Sequence, residues 1–481
     1  MADITRLPTE ILRMIWSLLS PKDMASLSST CQIIRRAGQP HVDRLKRYSI
    51  IGNTAKREDN LGSFERNSDR RFPPPRFVLI VDGISKDPLA TEYVHEFQID
   101  FHSESWATGS SRREFWARAF GDAFATIMRR FPYLEFEDGA GALTEKAQTC
   151  KKDIEDGNDD IVAVLLLSLL PEVRTLRFRC VRLIPSICIF VIERIACDPT
   201  TTALSHLTTV EVDFNQSLYT SGDALNMLAA CAALPSLKTL RGSNIGHETY
   251  FRSRNLSTAI SNVTELALRK FSTDSDSLST FLSMFQSLSN FTYESLGPRD
   301  STLWPLDPKD LIFVLQRCAE NSLRHLTMYS GEDDGPWMGS LAAFSKLAYV
   351  HTDWQLLVDE RNPSNYQLVR KLPRSLQQLY LRVEPDFDVE ARSNLIKSLV
   401  FAKPISFPVL TNLVLSGISR ANSRALLGKR FITTAKEAGL IIECEVPTDQ
   451  DLAVLERSKM NIEDFPTLTE HLARLALEST G

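Results

Sequence analysis

The sequence lacks the paired cysteines and clustered histidines that zinc sites and disulfide frameworks need. Its eight cysteines are scattered without a Cys-x-x-Cys pair, and its eight histidines are dispersed along the chain. We therefore expect reduced, mostly buried thiols in an intracellular protein. We expect neither a metal ion nor a cofactor.

Long apolar runs and an excess of positive charge are also missing. The longest apolar run, Ile161 to Leu170, is too short to cross a bilayer. The formal net charge is −5, so no overall positive field attracts nucleic acid or an anionic membrane surface. The sequence therefore predicts a globular protein whose partners include neither nucleic acid nor membrane.

Motifs for catalysis are missing as well. His247-Glu248 begins like the helix of a zinc protease, but Phe251 stands where the second histidine is needed. No phosphate-binding loop and no nucleophile elbow occurs in the sequence. We therefore predict that the chain is not an enzyme. An enzyme with an unrecognised site is kept as the weakest of the three functional hypotheses considered for this sequence.

The N-terminal segment has the pattern of an amphipathic helix. Pro8 suits a first helical turn, and Ser20-Pro21 ends the helix, because the residue before proline avoids helical geometry. About forty residues bury too little surface to be very stable alone, so the apolar face must be shared with the main domain or with a partner. This face comprises Ile11, Met14, Ile15, Leu18 and Leu19.

The order and spacing of these residues resemble an F-box, through Leu7-Pro8-Thr9-Glu10-Ile11-Leu12, Leu18-Leu19-Ser20-Pro21-Lys22-Asp23 and Cys31. The resemblance implies a helical module that attaches a substrate receptor to the Skp-type adaptor of a cullin–RING ubiquitin ligase. Ile34 stands where F-boxes commonly have a tryptophan and is expected to pack in its place with less contact area. The residues implied to face the adaptor are Leu7, Pro8, Ile11, Leu12, Ile15 and Leu19.

A second pattern recurs from about residue 131 onward: apolar, two residues, apolar, two residues, apolar, one residue, apolar. Successive copies lie roughly 25 to 35 residues apart, which is the range of leucine-rich repeats. The final alternation in each copy predicts a short strand, and stretches such as 159–169, 223–232, 308–318 and 390–399 suit helices. The copies begin at Leu170, Leu204, Leu234, Ile260, Phe285, Leu323, Phe344, Leu376, Phe407 and Leu440.

This periodicity predicts an α/β solenoid with parallel strands on its concave face and helices outside. The chain as a whole resembles fungal-type F-box proteins with degenerate leucine-rich repeats, and an ordinary α/β domain with a parallel sheet is the alternative. Strands at Phe77–Val81 and Val94–Phe101 and a helix at 115–131 are expected before the regular repeats. The predicted divisions are an F-box-like helical domain at 1–42, a linker at 43–75, an N-terminal cap or divergent repeats at 76–130, the solenoid at 131–446 and a C-terminal cap or tail at 447–481.

In such a solenoid, strand residues between the buried ones point out of the concave face. A face that mixes arginine, tyrosine and carboxylates suits a protein or peptide, because arginine and tyrosine often anchor protein interfaces. Asp353 is expected on this face, and Trp304 and Trp337 lie on loops where they either mark contacts or fold back. The predicted target-binding residues are Arg177, Arg179, Glu211, Arg241, Arg269, Tyr329, His351, Tyr380 and Arg382.

The resemblance thus implies a substrate-recognition subunit of an SCF-type cullin–RING E3 ubiquitin ligase, located in the cytoplasm, the nucleus or both. The F-box would bind the Skp-type adaptor, and the solenoid would bind an unknown protein substrate. The alternative is a leucine-rich-repeat interaction scaffold whose F-box-like segment has drifted and only caps the solenoid.

Overall fold

The structure is a computed structural model of the 481-residue chain. The predicted strand at 77–81 and the predicted helices at 115–131, 449–460 and 468–478 lie outside the residues it describes. Those are 7–19, 23, 26–27, 29, 32–40, 43, 50–52, 91, 94–101, 144–155, 159–180, 186–214, 223–245, 260–295, 307–330, 337–358, 367–383, 389–417 and 429–445.

The chain divides into two units. The first comprises Met1–Leu323 with Tyr329–Asp333, and the second comprises Arg324–Met328 with Asp334–Gly481. Each unit is an α/β structure in which most of the described parallel strands are separated by helices along the chain. Within the described residues, no helix is both long enough and apolar enough to cross a membrane.

Among the described residues, the first unit begins with helices α1 at Thr9–Leu18 and α2 at Gln32–Ala37. Its strands pair in parallel with their neighbours in sequence order. They are β1 Ile50–Gly52, β2 Glu96–Phe101, β3 Thr175–Cys180, β4 Thr209–Phe214, β5 Thr239–Ile245, β6 Glu265–Phe271 and β7 Asn290–Ser295. The later helices are α3 Glu145–Glu155, α4 Asp159–Leu167, α5 Ser186–Cys197, α6 Asp223–Ala232, α7 Ser275–Leu282 and α8 Pro308–Ala319.

The second unit repeats this arrangement, again with parallel strands in sequence order. Its strands are β8 His325–Tyr329, β9 Tyr349–Asp353, β10 Gln378–Arg382, β11 Asn412–Ser416 and β12 Ile441–Glu445. Its helices are α9 Trp354–Leu357, α10 Gln367–Lys371, α11 Val389–Ser406 and α12 Lys429–Glu437.

Strands form here because apolar and polar side chains alternate along them. On β3, Leu176 and Phe178 are buried, whereas Arg177 between them is half-buried. The buried side packs closely on the helices, since a Cβ added at Gly242 on β5 would lie 2.9 Å from Leu228 on α6. The side chains on the opposite side of each sheet are called its open face below.

The same backbone hydrogen bonds recur at the start of successive strands. The carbonyl of Arg174 accepts N–H groups from Thr208 and Thr209, each at 3.0 Å. This double acceptance fixes the register of each strand on the one before it, and with it the face to which every side chain points. The carbonyls that accept two N–H groups in the same way are those of His95, Thr208, Lys238, Thr264, Arg324, Ala348 and Gln377.

The sequence predicted the regular part of this fold correctly. The ten copies from Leu170 onward each contribute a strand, from β3 to β12, and the predicted strand at 94–101 is β2. An earlier candidate copy, Phe131-Leu134-Phe136, lies outside the described residues. Strand β1 at Ile50–Gly52 was not predicted, because it is only three residues long and has no readable alternation. It lies within the predicted linker 43–75 and pairs with β2.

The described cysteines include three buried thiols, Cys180, Cys188 and Cys231. Burial raises the pKa of Cys231 to about 12, so this thiol stays protonated at neutral pH. Cys197 is exposed, and Cys318 and Cys444 are half-buried.

Two glycines in the second unit offer a matched test of its packing. Both have left-handed backbone angles, with φ +83° at Gly417 and φ +70° at Gly439. A Cβ at Gly417 would overlap the carbonyl oxygen of Val383, whereas a Cβ at Gly439 would only touch Lys403 Nζ at 3.5 Å. We expect Gly439→Ala to cost about 1–2 kcal/mol of unfolding free energy and Gly417→Ala clearly more. Equal losses in urea unfolding would contradict the close approach to Val383.

Candidate interaction surfaces

The two N-terminal helices are held together by a buried tryptophan. Trp16 on α1 is fully buried, and its Nε1 donates a hydrogen bond to the carbonyl oxygen of Ile34 on α2 at 3.1 Å. Ile34 is itself buried, as the sequence predicted. Gly38 lies against the indole so closely that a Cβ there would overlap it. These contacts join α1 to α2.

Several apolar side chains of the same module are exposed. Leu7 is 38% exposed, Ile11 41% and Met14 61%. Their spacing of four and three residues places them on one side of α1 and the turn before it. We call these three residues the N-terminal apolar surface. On α2, Ile33 is 57% exposed.

The residues predicted to face an adaptor divide into three groups. Leu7, Pro8 and Ile11 are exposed, and Ile15 and Leu19 are half-buried. Leu12 differs from the prediction, because it is only 2% exposed. Leu12 and Trp16 are four residues apart on α1, so both side chains fall on the side of the helix that packs into the core. Met14 belongs to the predicted apolar face but not to the six residues predicted to face the adaptor, and Ile33 belongs to neither set; both are exposed.

The open face of the first unit carries a row of alternating charges. Arg177 on β3 donates from Nη1 to Glu96 Oε2 at 3.1 Å and from Nε to Glu211 Oε2 at 3.0 Å. Arg241 on β5 donates from Nη1 to Glu211 Oε1 at 3.1 Å and from Nη2 to Glu265 Oε1 at 2.9 Å. We call these five residues the charge ladder. It crosses the strands from β2 to β6.

The arginines and glutamates of the charge ladder form ion pairs with one another. Its hydrogen bonds raise the pKa of both arginines, mainly through Glu211 for Arg177 and through Glu265 for Arg241. Both carboxylate oxygens of Glu211 are used. Because these side chains are between a third and a half exposed, each pair contributes only roughly 0.2–1 kcal/mol, and salt screens it.

On the same face, the strand positions two residues after Arg177 and Glu211 are more exposed. Asp213 on β4 accepts hydrogen bonds from Ser243 Oγ at 2.8 Å and Asn244 Nδ2 at 2.7 Å. Arg179 and Arg269 are exposed. The five residues predicted in this unit, Arg177, Arg179, Glu211, Arg241 and Arg269, therefore all lie on the open face. Three of them are members of the charge ladder.

The open face of the second unit carries two pairs of rings instead. His325 on β8 stacks on Tyr349 on β9, with centroids 4.2 Å apart and planes 8° from parallel. His351 on β9 contacts Tyr380 on β10, with centroids 4.1 Å apart and planes at 53°. In each pair the two residues are direct partners in the strand register. We call these four side chains the ring surface.

An ion pair lies beside the ring surface. Arg382 on β10 donates from Nε to Asp353 Oδ1 on β9 at 2.6 Å. Asp353 is the register partner of Arg382, as its predicted place on this face requires, but its side chain is only 1% exposed. It ends β9 and directly precedes α9. Arg382 keeps about half of its side-chain surface exposed, at 52%.

The remaining predicted contacts are partly buried. Tyr329 at the end of β8 is half-buried. Trp337 is half-buried too and folds back on its own unit, with Lys371 Nζ 4.0 Å from its ring centroid. Trp304 lies outside the described residues. In the described part of the chain, no group of three or more His, Cys, Asp or Glu side chains is placed to hold a metal ion.

Both histidines of the ring surface favour the neutral form. Burial lowers the pKa of His325, and the charge of Arg324 lowers it further. Burial also lowers the pKa of His351, with a further decrease from Arg382 and an opposing increase from Asp353. The open face of the second unit is therefore aromatic and uncharged at its rings at neutral pH.

We expect these histidines to make the fold less stable in acid. The unfolded chain binds a proton at the ordinary pKa of 6.5, whereas the folded chain binds it only at lower pH. Stability is therefore fully present above about pH 6.5 and is lost as pH falls through the folded pKa. In urea unfolding measured at a series of pH values below about 6.5, the free energy of unfolding of His351→Gln should fall less than that of the native chain. Identical losses would contradict the lowered pKa.

The close contact at Gly38 gives a test of the N-terminal core. Gly38→Ala should separate α1 from α2, because the added methyl group has no space beside the indole of Trp16. Hydrogen exchange of the α1 amides should increase by about tenfold or more. Gln39→Ala is a matched control, since this side chain only bonds Asp43 at the surface. Equal protection of α1 in the two variants would show that Gly38 does not support this core.

The comparisons with known proteins agree with the geometry of the N-terminal helices. No curated protein matches the chain. The family model of the F-box domain matches residues 4–38. The matched residues include α1, α2, the buried Trp16 and the N-terminal apolar surface. The chain therefore carries an F-box domain at residues 4–38, which supports its description as an F-box protein.

Proposed function

We propose that this chain is the substrate-recognition subunit of an SCF-type cullin–RING E3 ubiquitin ligase. The observation that carries the proposal is the F-box match at residues 4–38, on helices whose apolar side chains are exposed. F-box domains generally bind Skp-type adaptors, and through them cullin–RING ligases. The adaptor would cover the N-terminal apolar surface.

The packing of the module supports this use of its surface. Trp16 and Ile34 already join α1 to α2, whereas Leu7, Ile11 and Met14 keep 38%, 41% and 61% of their surface exposed. Complete burial of a side chain of this size is worth about 1.5–3 kcal/mol. Because the three side chains are only partly exposed, a partner that covers them gains roughly 2–4 kcal/mol, compared with about 8 kcal/mol for a micromolar complex.

For the main body we propose an irregular leucine-rich-repeat solenoid. The support is the recurrence of one unit: a strand whose preceding carbonyl accepts two N–H groups from the next strand, followed in most copies by a helix. The buried positions also repeat in register, as in Leu176, Val210 and Leu240 on β3, β4 and β5. Within each unit, stacked repeats of this kind would bury a core on one side of the strands and leave the other side open to ligands.

In the proposed role, the N-terminal module and the main body bind different partners. The F-box holds the chain on the adaptor, and the open faces hold an unknown protein target inside the cell. Ubiquitin transfer is then accelerated by proximity to the charged E2 enzyme, and the partners supply the catalytic groups. The chain itself would contribute no catalytic residue.

The first experiment is co-expression with a Skp-type adaptor, followed by size-exclusion chromatography and measurement of a dissociation constant. We expect a one-to-one complex with submicromolar affinity. Ile11→Asp and Met14→Asp should each weaken it by about 100-fold or more, because a carboxylate would be buried in an apolar interface.

A matched control separates this effect from a general loss of surface apolarity. Phe401 on α11 is 69% exposed, comparable with Met14, but lies outside the matched residues. Phe401→Asp should bind the adaptor like the native chain. Native affinity in Ile11→Asp and Met14→Asp would refute the assigned surface. No complex with the native chain would instead favour a repeat scaffold without a ligase role.

A further inference from the structure

The charged side chains of the charge ladder on the first unit's open face are bonded mainly to one another. In the first unit, each arginine of the charge ladder bridges two glutamates, and Glu211 accepts from two arginines. A ligand that recruits one of these groups must first break its bonds to the neighbours. The ladder is therefore a poor place for a charged ligand to gain affinity.

The second unit offers groups of the kind that anchor protein partners. The ring surface comprises two tyrosines and two histidines side by side on β8, β9 and β10. His325 is exposed, and the other three rings are half-buried. Such rigid, partly exposed rings bury a large area at little cost in side-chain entropy, as in the centres of protein interfaces.

Positive charge borders these rings on the described strands. Arg324 precedes β8 and is exposed, and Arg382 lies on β10 with about half of its side chain exposed. The sequences of β8, β9 and β10 contain one carboxylate, Asp353, which is buried under Arg382. Glu443 lies two strands from Tyr380, since Val414 is between them in the register. Along these three strands and at the residue before β8, the two arginines outnumber the single carboxylate, and one arginine shares its charge with it. The described strands therefore carry a small excess of positive charge that favours a negatively charged ligand.

We propose that the ring surface, with Arg324 and Arg382, binds an acidic segment of the target protein. This inference rests on the proposed function, because it names the chemistry of the target that the receptor recognises. The carboxylates of the segment lie near the two guanidinium groups, which favour planar hydrogen-bonded pairing with carboxylates. The hydroxyl groups of Tyr349 and Tyr380 donate further hydrogen bonds. The charge ladder takes no part in binding.

The test uses the full-length chain bound to the Skp-type adaptor and a display library of random, unphosphorylated peptides. Enriched peptides should contain an excess of Asp and Glu over the starting library. Tyr380→Ala and Arg324→Glu should each weaken binding of an enriched peptide by about tenfold or more. Arg241→Gln in the charge ladder is the control and should bind it like the native chain.

Three results would overturn the inference. These are enrichment of neutral or basic peptides, no enrichment at all, and loss of binding in Arg241→Gln with retention in Tyr380→Ala and Arg324→Glu. Binding of the Skp-type adaptor is measured for the same variants, so that failure of the acidic-segment site can be told apart from failure of the proposed ligase role. If the chain alone enriches acidic peptides but binds no adaptor, the proposed ligase role fails and the acidic-segment site stands.

Discussion

Burial of alternate side chains along each parallel strand is the constraint on which the rest of the structure depends. A strand has a period of two, so a shift of one residue would turn its apolar side chains to solvent. The repeated double acceptance by carbonyls such as those of Arg174 and Gln377 holds the register against such shifts. The open faces follow directly, because every side chain that is not buried must point away from the core.

The same register decides what those faces can do. In the first unit it places Arg177 beside Glu211 and Glu211 beside Arg241, so opposite charges meet on neighbouring strands. In the second unit it places His325 beside Tyr349 and His351 beside Tyr380. The same backbone arrangement thus produces a network of arginines and glutamates that pair with one another in one unit, and an aromatic surface in the other.

The sequence was sufficient to predict the strands β2 to β12 but not the contacts between side chains on neighbouring strands. The period of the apolar pattern identified β3 to β12, because each copy carries its own buried residues within a few positions. The contact of Arg177 with Glu96 joins residues 81 positions apart, so no local pattern could predict it. Exposure was also beyond the local pattern: Asp353 is buried where it bonds Arg382 on the next strand, and Leu12 is buried four residues before Trp16 on α1.

The N-terminal module shows a division of apolar residues between folding and binding. Trp16, Ile34 and Gly38 fix the helices to each other, and this leaves Leu7, Ile11 and Met14 as surplus apolar surface. Hydrogen exchange of the full-length chain with and without a Skp-type adaptor tests this division most directly. The account predicts new protection confined to residues 7–40, with strands β2 to β12 unchanged. Protection on the open-face strands, or none in the module, would contradict it.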